Sequence, residues 1–278
     1  MYGIIALLFY EPLKHIYKMV FHEEYRRYSW LVLRYGKTPR FTERSICVAE
    51  WKLTVPDVAS FLSAYLEIFV NEIYAFRADS CNPLILDCGA NIGLSVLFFK
   101  KNYPKAKVIA YEADPEICAI LQHNMICNGI EDVEIINKAI WSSETAVQFT
   151  VDGADGGRIE SVPSAYAIHL PSVSLVSILQ RNSFDFVKID IEGAEVEALK
   201  NCDNYLAQQK YVFVEYHSFH NRKQSLGMLI NMFERNGFRV HIHPPFITQK
   251  PFLCIKQGVA GMDMQLNLFF LREKHEVA

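Results

Sequence analysis

One stretch of the sequence, residues 84–94, limits the fold more than any other. It reads Leu-Ile-Leu-Asp-Cys-Gly-Ala-Asn-Ile-Gly-Leu and follows Pro83. The apolar run at its start is typical of a strand buried on both faces, and the apolar spacing from Ile92 to Lys101 predicts a helix packed on a sheet. The glycines allow positive φ angles, and the free N–H groups at the start of the helix favour an anionic or carboxylate-bearing ligand. The stretch therefore predicts a ligand-binding turn, although an ordinary glycine-rich turn without a ligand stays open.

Predicted strands and helices alternate after this turn. Such alternation predicts an α/β fold with a largely parallel sheet, helices on both faces and ligands at the carboxyl ends of the strands. The turn-forming residues at 79–83 separate this sheet from the preceding region, so we expect an N-terminal region of residues 1–82 and a sheet domain of residues 83–278. The later strands are predicted at 107–111, 133–140, 184–189, 211–216, 238–242 and 266–271, and the helices between them at 115–127, 173–181, 194–206 and 224–236.

The N-terminal region is predicted to be mainly helical. Apolar residues recur at helical spacing from Leu62 to Phe76, and the alternation within residues 40–54 predicts a small strand or hairpin. The apolar start of the chain lacks the basic n-region of a signal peptide, and Glu11 and Lys14 interrupt it far below the roughly 20 residues of a membrane span. We expect no transmembrane segment and a helix packed on the protein, with contact between this helix and a membrane surface as the open alternative.

Composition narrows the partners and the compartment. The chain has 278 residues, 51% of them hydrophobic, and its net charge of −3 comes from 28 basic and 31 acidic residues. This charge gives no reason to expect a nucleic acid as the main partner. The seven cysteines are odd in number and form no Cys-x-x-Cys pair, which argues for reduced thiols in a cytoplasmic protein.

A second ligand signal lies at the end of the strand predicted over residues 107–111. Glu112 follows this strand and stands 23 residues beyond Gly89. In a Rossmann-like fold, an acidic residue roughly 20 residues past the glycine turn accepts hydrogen bonds from the ribose hydroxyls of a cofactor. Asp114, which precedes Pro115, is better explained as a helix cap. The two signals together predict a nucleotide-like cofactor with its ribose on Glu112.

Two later strands end in charged residues. Lys188, Asp190 and Glu192 alternate at the end of one strand, and Glu215 and His217 share a face at the end of the next. If these strands are neighbours, Asp190, Glu215 and His217 converge beside the cofactor. A structural network of ion pairs is the alternative explanation.

Four motifs together resemble the FkbM family of S-adenosylmethionine-dependent methyltransferases. The family more often has Glu-Pro where this chain has Glu112 followed by Ala-Asp, but the glutamate itself is retained. The resemblance covers roughly residues 60–272. The motifs are Asp-Cys-Gly-Ala-Asn-Ile-Gly (87–93), Tyr-Glu-Ala-Asp (111–114), Lys-Ile-Asp-Ile-Glu-Gly-Ala-Glu (188–195) and Glu-Tyr-His-Ser-Phe (215–219), and Asp-Gly-Gly-Arg-Ile (155–159) and Gln-Leu-Asn-Leu-Phe (265–269) are similar to one branch of the family.

This resemblance implies a Rossmann-like class I methyltransferase sheet with its last strand reversed. It also implies S-adenosylmethionine as the cofactor and methyl transfer to oxygen, on a sugar, a polysaccharide or a natural product. By the same resemblance, Asp87, Gly89, Asn91 and Gly93 form the loop that holds the methionine part of the cofactor, Glu112 holds the ribose, Asn137 and Ala139 lie at the adenine edge, and Asp190 faces the sulfonium or the acceptor.

The catalytic groups are expected at the charged strand ends. O-methylation requires a hydroxyl to lose its proton, and histidine titrates nearest to neutral pH, so we expect His217 as general base, oriented by Glu215, with Asp190 positioning acceptor or donor. A divalent metal held by the same three residues is the rival and is not favoured, because no spacing motif supports it. Contacts with the acceptor are expected from Arg158, Lys188 and Glu192.

Two functions of other classes stay open at this point. A catalytically silent Rossmann-like module would keep Gly89 and Glu112 but would have no use for the charged strand ends. A nicotinamide-dependent oxidoreductase would require Gly-x-Gly-x-x-Gly, which residues 89–93 do not contain. The charged strand ends therefore favour a transferase over both alternatives.

Overall fold

The computed structural model describes residues 13–150, 157–159, 167–246, 252 and 261–272. The chain divides into two compact units, Met1–Ala75 and Phe76–Ala278. The boundary expected between residues 82 and 83 thus lies inside the second unit. Phe76 accounts for the difference, because its ring packs against Phe99, Phe186 and Tyr211 of the sheet domain.

The first unit combines helices with a small hairpin. Residues 13–21 are helical. They are followed by α1 (Glu23–Tyr35), β1 (Arg44–Val48), β2 (Trp51–Val55) and α2 (Val58–Tyr65), which continues as a π-helical turn at Leu66–Val70. β1 and β2 pair antiparallel, as the alternation within residues 40–54 predicts. The helix expected to extend to Phe76 ends earlier, because Glu72 adopts a positive φ of 51° that breaks the helical path.

Asp57 caps α2 and ties this helix to the preceding loop. Its carboxylate accepts backbone hydrogen bonds from Ser60 at 2.9 Å and Phe41 at 2.7 Å, and its Oδ2 lies 2.8 Å from Nε of Arg40. Burial by itself raises the pKa of Asp57, but these hydrogen bonds and the guanidinium lower it to about 2. The carboxylate is therefore ionised at neutral pH and is neutralised within its own unit.

The helical residues 13–21 present their apolar side to solvent. Ile16, Tyr17 and Val20 are 56%, 56% and 59% exposed. The expectation that this helix packs on the protein is therefore wrong for these side chains, and contact with a membrane surface stays a prediction. None of the helices in the described part of the chain combines the length and the apolar character that a membrane span requires.

The second unit is organised around a seven-stranded sheet. The described strands of this unit, numbered along the chain, are β3 (Leu84–Cys88), β4 (Lys107–Tyr111), β5 (Val133–Ile136), β6 (Ala139–Trp141), β7 (Ala146–Thr150), β8 (Arg158–Ile159), β9 (Ala167–Ser174), β10 (Phe186–Ile189), β11 (Tyr211–Phe219), β12 (Phe238–His243) and β13 (Met262–Arg272). Seven of them form the large sheet, in the order β12, β13, β11, β10, β3, β4, β5. Among the described strands of this sheet, β13 runs antiparallel to both β11 and β12, and the other paired strands are parallel. The mostly parallel, Rossmann-like α/β sheet with its last strand reversed is confirmed.

Helices connect the parallel strands. They are α3 (Leu94–Asn102), α4 (Pro115–Cys127), α5 (Leu175–Arg181), α6 (Glu195–Ala198), α7 (Asp203–Leu206) and α8 (Leu226–Arg235). Asp114 caps α4 by accepting hydrogen bonds from the N–H groups of Glu116 and Ile117, as its place before Pro115 predicts. The single helix expected over residues 194–206 is instead two short helices, because Asn201 between them has a positive φ of 64°.

The strand expected over residues 133–140 is also divided. β5 ends at Ile136 beside β4, whereas β6 pairs with β9 in a separate four-stranded sheet of order β6, β9, β7, β8. Asn137 lies at the division, where its side-chain amide donates hydrogen bonds to the carbonyl oxygens of Glu112 and Ala113. Apolar spacing alone cannot show that a continuous run of strand residues changes partners.

β3 lies at the centre of the large sheet and explains the apolar run that opens the key stretch. Ile85, Leu86 and Cys88 are fully buried between the neighbouring elements. The pairing register places Cys88 beside Tyr111 of β4 on one side and beside Ile189 of β10 on the other. The carboxyl ends of β4, β3 and β10 therefore meet at one edge of the sheet.

Candidate active site

The turn after β3 depends on positive φ angles. Gly89, Asn91 and Gly93 have φ of 83°, 48° and 98°. A Cβ at Gly89 would lie 1.8 Å from the carbonyl oxygen of Asp190, and a Cβ at Gly93 would lie 2.6 Å from the side chain of Met125. Glycine is thus required at 89 by the backbone of Asp190 after β10, and it is favoured at 93 by the positive φ.

Glu112 lies against this turn and is held by two backbone groups. Its Oε2 accepts a hydrogen bond from N–H of Asn91 at 2.8 Å, and its Oε1 accepts one from N–H of Asp114 at 2.9 Å. The residue is 8% exposed. Burial raises the pKa of Glu112 to about 7, although both hydrogen bonds and the charge of Lys188 lower it. Each carboxylate oxygen keeps a further lone pair that can accept a hydrogen bond from a ligand.

An open pocket lies at this edge of the sheet. Its apolar lining includes Tyr111, Ile140, Phe149 and Ile191. Its polar lining includes the side chains or backbone of Asn91, Glu112, Asp114, Lys138, Asp190 and Glu192.

A buried lysine fixes the turn from below. Nζ of Lys188 lies 3.2 Å from Oδ1 of Asp87 and 3.4 Å from Oδ2 of Asp190, and it donates a hydrogen bond to the carbonyl oxygen of Gly89 at 2.7 Å. The other carboxylate oxygen of Asp87 accepts a hydrogen bond from the hydroxyl of Ser95 at 2.5 Å. Burial by itself lowers the pKa of Lys188, but Asp87 and Asp190 raise it above its usual range. Lys188 is therefore a charged support for the turn and for Asp190.

His217 lies among carboxylates at the end of β11. Its Nδ1 is 2.9 Å from Oε1 of Glu195, and its Nε2 is 3.6 Å from Oε2 of Glu192 and 3.8 Å from Oε1 of Glu215. The same oxygen of Glu195 accepts a hydrogen bond from N–H of Gly193 at 2.8 Å. Burial by itself lowers the pKa of His217, but the three carboxylates raise it well above its usual range. The three carboxylates therefore favour the protonated form of the imidazole.

Comparison with known proteins places this arrangement in a family. The family model described as "Methyltransferase FkbM domain" matches residues 87–240, which is more than half of the chain. The chain belongs to the FkbM methyltransferase family. Members of this family are S-adenosylmethionine-dependent methyltransferases, and the resemblance seen in the four motifs is confirmed.

The individual proteins that this chain resembles are distant from it in sequence. "Methyltransferase sdnD" of Sordaria araneosa is 27% identical over 50% of this chain and 68% of its own length. "2-O-methyltransferase NoeI" of Sinorhizobium fredii is 24% identical over 49% of this chain and 63% of its own length. The crystal structure of "Methyltransferase FkbM" from Methylobacillus flagellatus KT is 16% identical, with a TM-score of 0.47, over 76% of this chain and 53% of that one. The chain therefore spans about half to two thirds of these proteins.

The residues expected to bind S-adenosylmethionine divide into two groups. Those that line the pocket are Gly89, Asn91, Glu112, Ala139 and Asp190. Asp87, Gly93 and Asn137 do not line it. Asp87 is fully buried beneath the turn, Gly93 packs against α4, and Asn137 uses its side-chain amide on the backbone carbonyl groups beside Glu112. Asp87 and Gly93 therefore shape the turn, and Asn137 holds the backbone beside Glu112.

The residues expected to act in catalysis or on the acceptor are also divided. Asp190 and Glu192 line the pocket, whereas His217, Glu215 and Lys188 lie behind it. The position of His217 and its raised pKa do not favour the expected role as general base, because the surrounding carboxylates stabilise the protonated imidazole. The backbone of Arg158 pairs with Thr150 in the small sheet, and its side chain lies outside the described residues.

Sequence reasoning missed several residues of the site. Phe149 of β7 and Gly157, which precedes β8, also line the pocket. No local pattern in the sequence predicts this contact. Glu195 belongs to the motif at residues 188–195, but the sequence alone does not show that it orients His217. Its place in the charged stretch from Lys188 to Glu195 was the available signal.

Proposed function

We propose that this chain is an S-adenosylmethionine-dependent O-methyltransferase that acts on a hydroxyl group of a glycan or natural-product acceptor. The observation that carries the proposal is Glu112, a buried carboxylate whose two oxygens are fixed by backbone N–H groups at the rim of the pocket. A carboxylate held in this way suits the paired hydroxyls of a ribose.

The pocket fits the cofactor on two further counts. Gly89 lets the backbone of the turn face the pocket, where a Cβ would collide with Asp190. The apolar side chains of Tyr111, Ile140 and Phe149 offer a surface for a purine ring. In this assignment Glu112 holds the ribose, the turn from Gly89 to Asn91 faces the methionine part, and the segment at residues 138–140 borders the adenine.

Asp190 and Glu192 would hold the reacting groups. Both carboxylates line the pocket at the end of β10, next to the turn. When bound, S-adenosylmethionine supplies an activated methyl group on a positively charged sulfonium. The two carboxylates attract that positive charge and can accept a hydrogen bond from an acceptor hydroxyl, so they orient the hydroxyl toward the methyl group. Lys188 fixes the position of Asp190 from below.

Transfer to oxygen is supported by the name of one relative, "2-O-methyltransferase NoeI". The name "Methyltransferase sdnD" gives no acceptor atom. The mixed lining of the pocket suits an acceptor that carries hydroxyl groups beside apolar surface. A catalytically silent cofactor-binding module would need the Glu112 site alone and would leave Asp190 and Glu192 without a role.

Calorimetry combined with a transfer assay tests this proposal. S-adenosylhomocysteine should bind the whole chain, NAD should not, and Glu112→Gln should weaken S-adenosylhomocysteine by about 1–3 kcal/mol because the ribose hydroxyls lose a charged acceptor. Incubation with labelled S-adenosylmethionine and a panel of oligosaccharides and polyketides should yield a product whose label sits on oxygen. Tight binding without any transfer would favour the silent module, and binding of NAD in place of S-adenosylhomocysteine would overturn the proposal.

A further inference from the structure

We propose that Asp190, Glu192 and His217 form a binding site for a divalent metal ion at the base of the pocket. One ligand atom from each residue can be chosen so that all of these atoms lie within 4.8 Å of one another. The set combines an imidazole nitrogen with two carboxylate oxygens, which suits a first-row divalent cation such as Mn²⁺. Its catalytic role rests on the proposed function, whereas the presence of the site does not.

The orientation of His217 is the first argument. Glu195 holds Nδ1 at 2.9 Å and thereby turns Nε2 toward Glu192 and Glu215. Among the described residues, the carboxylate oxygens nearest to Nε2 lie at 3.6 and 3.8 Å, beyond hydrogen-bonding distance. A buried imidazole with one nitrogen on a carboxylate and the other facing a gap is the arrangement that metal-binding histidines adopt.

The size of the gap is the second argument. Metal–ligand bonds of about 2.0–2.2 Å place neighbouring ligand atoms roughly 3–3.6 Å apart. The 3.6 Å between Nε2 of His217 and Oε2 of Glu192 lies in this range. It is too long for a hydrogen bond and short enough for two atoms that share an ion.

The backbone around Glu192 is the third argument. Glu192 has a positive φ of 53°, and Gly193 follows with φ of 92° where a Cβ would lie 2.4 Å from the ring of Phe219. N–H of Gly193 donates a hydrogen bond to Oε1 of Glu195, the oxygen that also contacts His217. One carboxylate therefore sets the position of both Glu192 and His217, and the strained turn brings the Glu192 side chain to the edge of the imidazole.

Glu192 replaces Glu215 in the ligand set that the sequence suggested. Glu215 accepts a hydrogen bond from the side-chain amide of Gln265 and does not line the pocket. Asp190 and Glu192 do line it, so an ion between them would keep coordination positions open toward the acceptor. Such an ion would hold an acceptor hydroxyl and favour loss of its proton, a task for which the buried His217 is poorly placed.

Direct metal binding tests the inference without any turnover. The whole chain is freed of metal with a chelator, and Mn²⁺ is added while the spectrum of free Mn²⁺ is followed by electron paramagnetic resonance. We expect saturable binding of one ion per chain, weakened roughly tenfold or more in Glu192→Gln, whose side chain is 25% exposed and can be changed without disturbing the core. The matched control is Glu116→Gln, at an exposed glutamate of α4, and it should bind as the wild type does.

S-adenosylhomocysteine is titrated into the same samples to separate this inference from the proposed function. Binding of S-adenosylhomocysteine with no saturable Mn²⁺ binding would overturn the metal site and leave the function standing. Mn²⁺ binding without S-adenosylhomocysteine binding would do the reverse. Equal Mn²⁺ affinity in the wild type, Glu192→Gln and Glu116→Gln would place the ion elsewhere and would also overturn the site.

Discussion

Asp57 of the first unit and Glu112 of the second are both buried carboxylates, yet the groups around them differ. Each accepts two backbone hydrogen bonds, Asp57 from Phe41 and Ser60, and Glu112 from Asn91 and Asp114. Only Asp57 also contacts a guanidinium, that of Arg40. The pKa of Asp57 falls to about 2, whereas burial raises that of Glu112 to about 7.

This difference distinguishes a carboxylate that stabilises the fold from one whose charge would be stabilised by a bound ligand. Asp57 is satisfied within the protein, so its charge contributes to stability. Glu112 is fixed in position without a cation in contact among the described residues, so its charge costs stability until hydroxyl donors reach it. A buried, unneutralised group at a pocket is a mark of function rather than of folding.

Among the variants that test this comparison, Gly89→Ala should have the largest effect, because it alters the turn that holds Glu112. A Cβ at position 89 would lie 1.8 Å from the carbonyl oxygen of Asp190, so the turn that presents Asn91 to Glu112 cannot keep its shape. We expect a loss of roughly 3 kcal/mol or more in unfolding free energy, measured by urea denaturation, together with loss of cofactor binding.

Gly129→Ala is the matched control for Gly89→Ala. Gly129 also has a positive φ, of 61°, but no atom lies within 4 Å of a Cβ built there. Only the backbone preference is lost, which costs roughly 1 kcal/mol. Equal losses in the two variants would show that the contact between Gly89 and the end of β10 is unimportant.

Asp57→Asn tests whether the ionised carboxylate of Asp57 stabilises the fold. The folded pKa of about 2 lies below the unfolded value of 3.8, so the contribution is present above the unfolded pKa and is lost as pH falls toward 2. We expect the variant to be less stable by about 2 kcal/mol at neutral pH, with the difference shrinking in acid. S-adenosylhomocysteine affinity should not change, since the pocket-lining residues belong to the second unit. If the difference in unfolding free energy between wild type and variant did not change with pH, the charge of Asp57 would not contribute to stability.

Glu112→Gln should have the opposite dependence on pH. The folded pKa of about 7 lies above the unfolded value of 4.5, so the stability contributed by Glu112 is full below 4.5 and is lost as pH rises through about 7. Relative to wild type, the variant should therefore gain stability over that interval, by roughly 1–3 kcal/mol. Denaturation profiles that stay parallel from acid to neutral pH would show that Glu112 is not held in an unfavourable charge state.

Local patterns in the sequence predicted much of the fold and part of the site. The strand, turn and helix from Leu84 onward and the acidic end at Glu112 follow from apolar spacing and glycine positions. The buried position of Lys188 and the bond between Glu195 and His217 do not, because they depend on which strands become neighbours. The contribution of Phe149 from the small sheet is equally non-local, since the chain leaves the main sheet at Asn137.

The affinity for S-adenosylhomocysteine as a function of pH tests the central claim most directly. If the ribose hydroxyls bind the ionised Glu112, the wild type must lose a proton to bind, so affinity should fall as pH drops below about 7. The fall should approach tenfold for each pH unit, and Glu112→Gln should bind weakly with almost no dependence on pH over the same range. A wild type and a variant that bind equally well, or that share one pH dependence, would contradict the assignment of Glu112 to the cofactor.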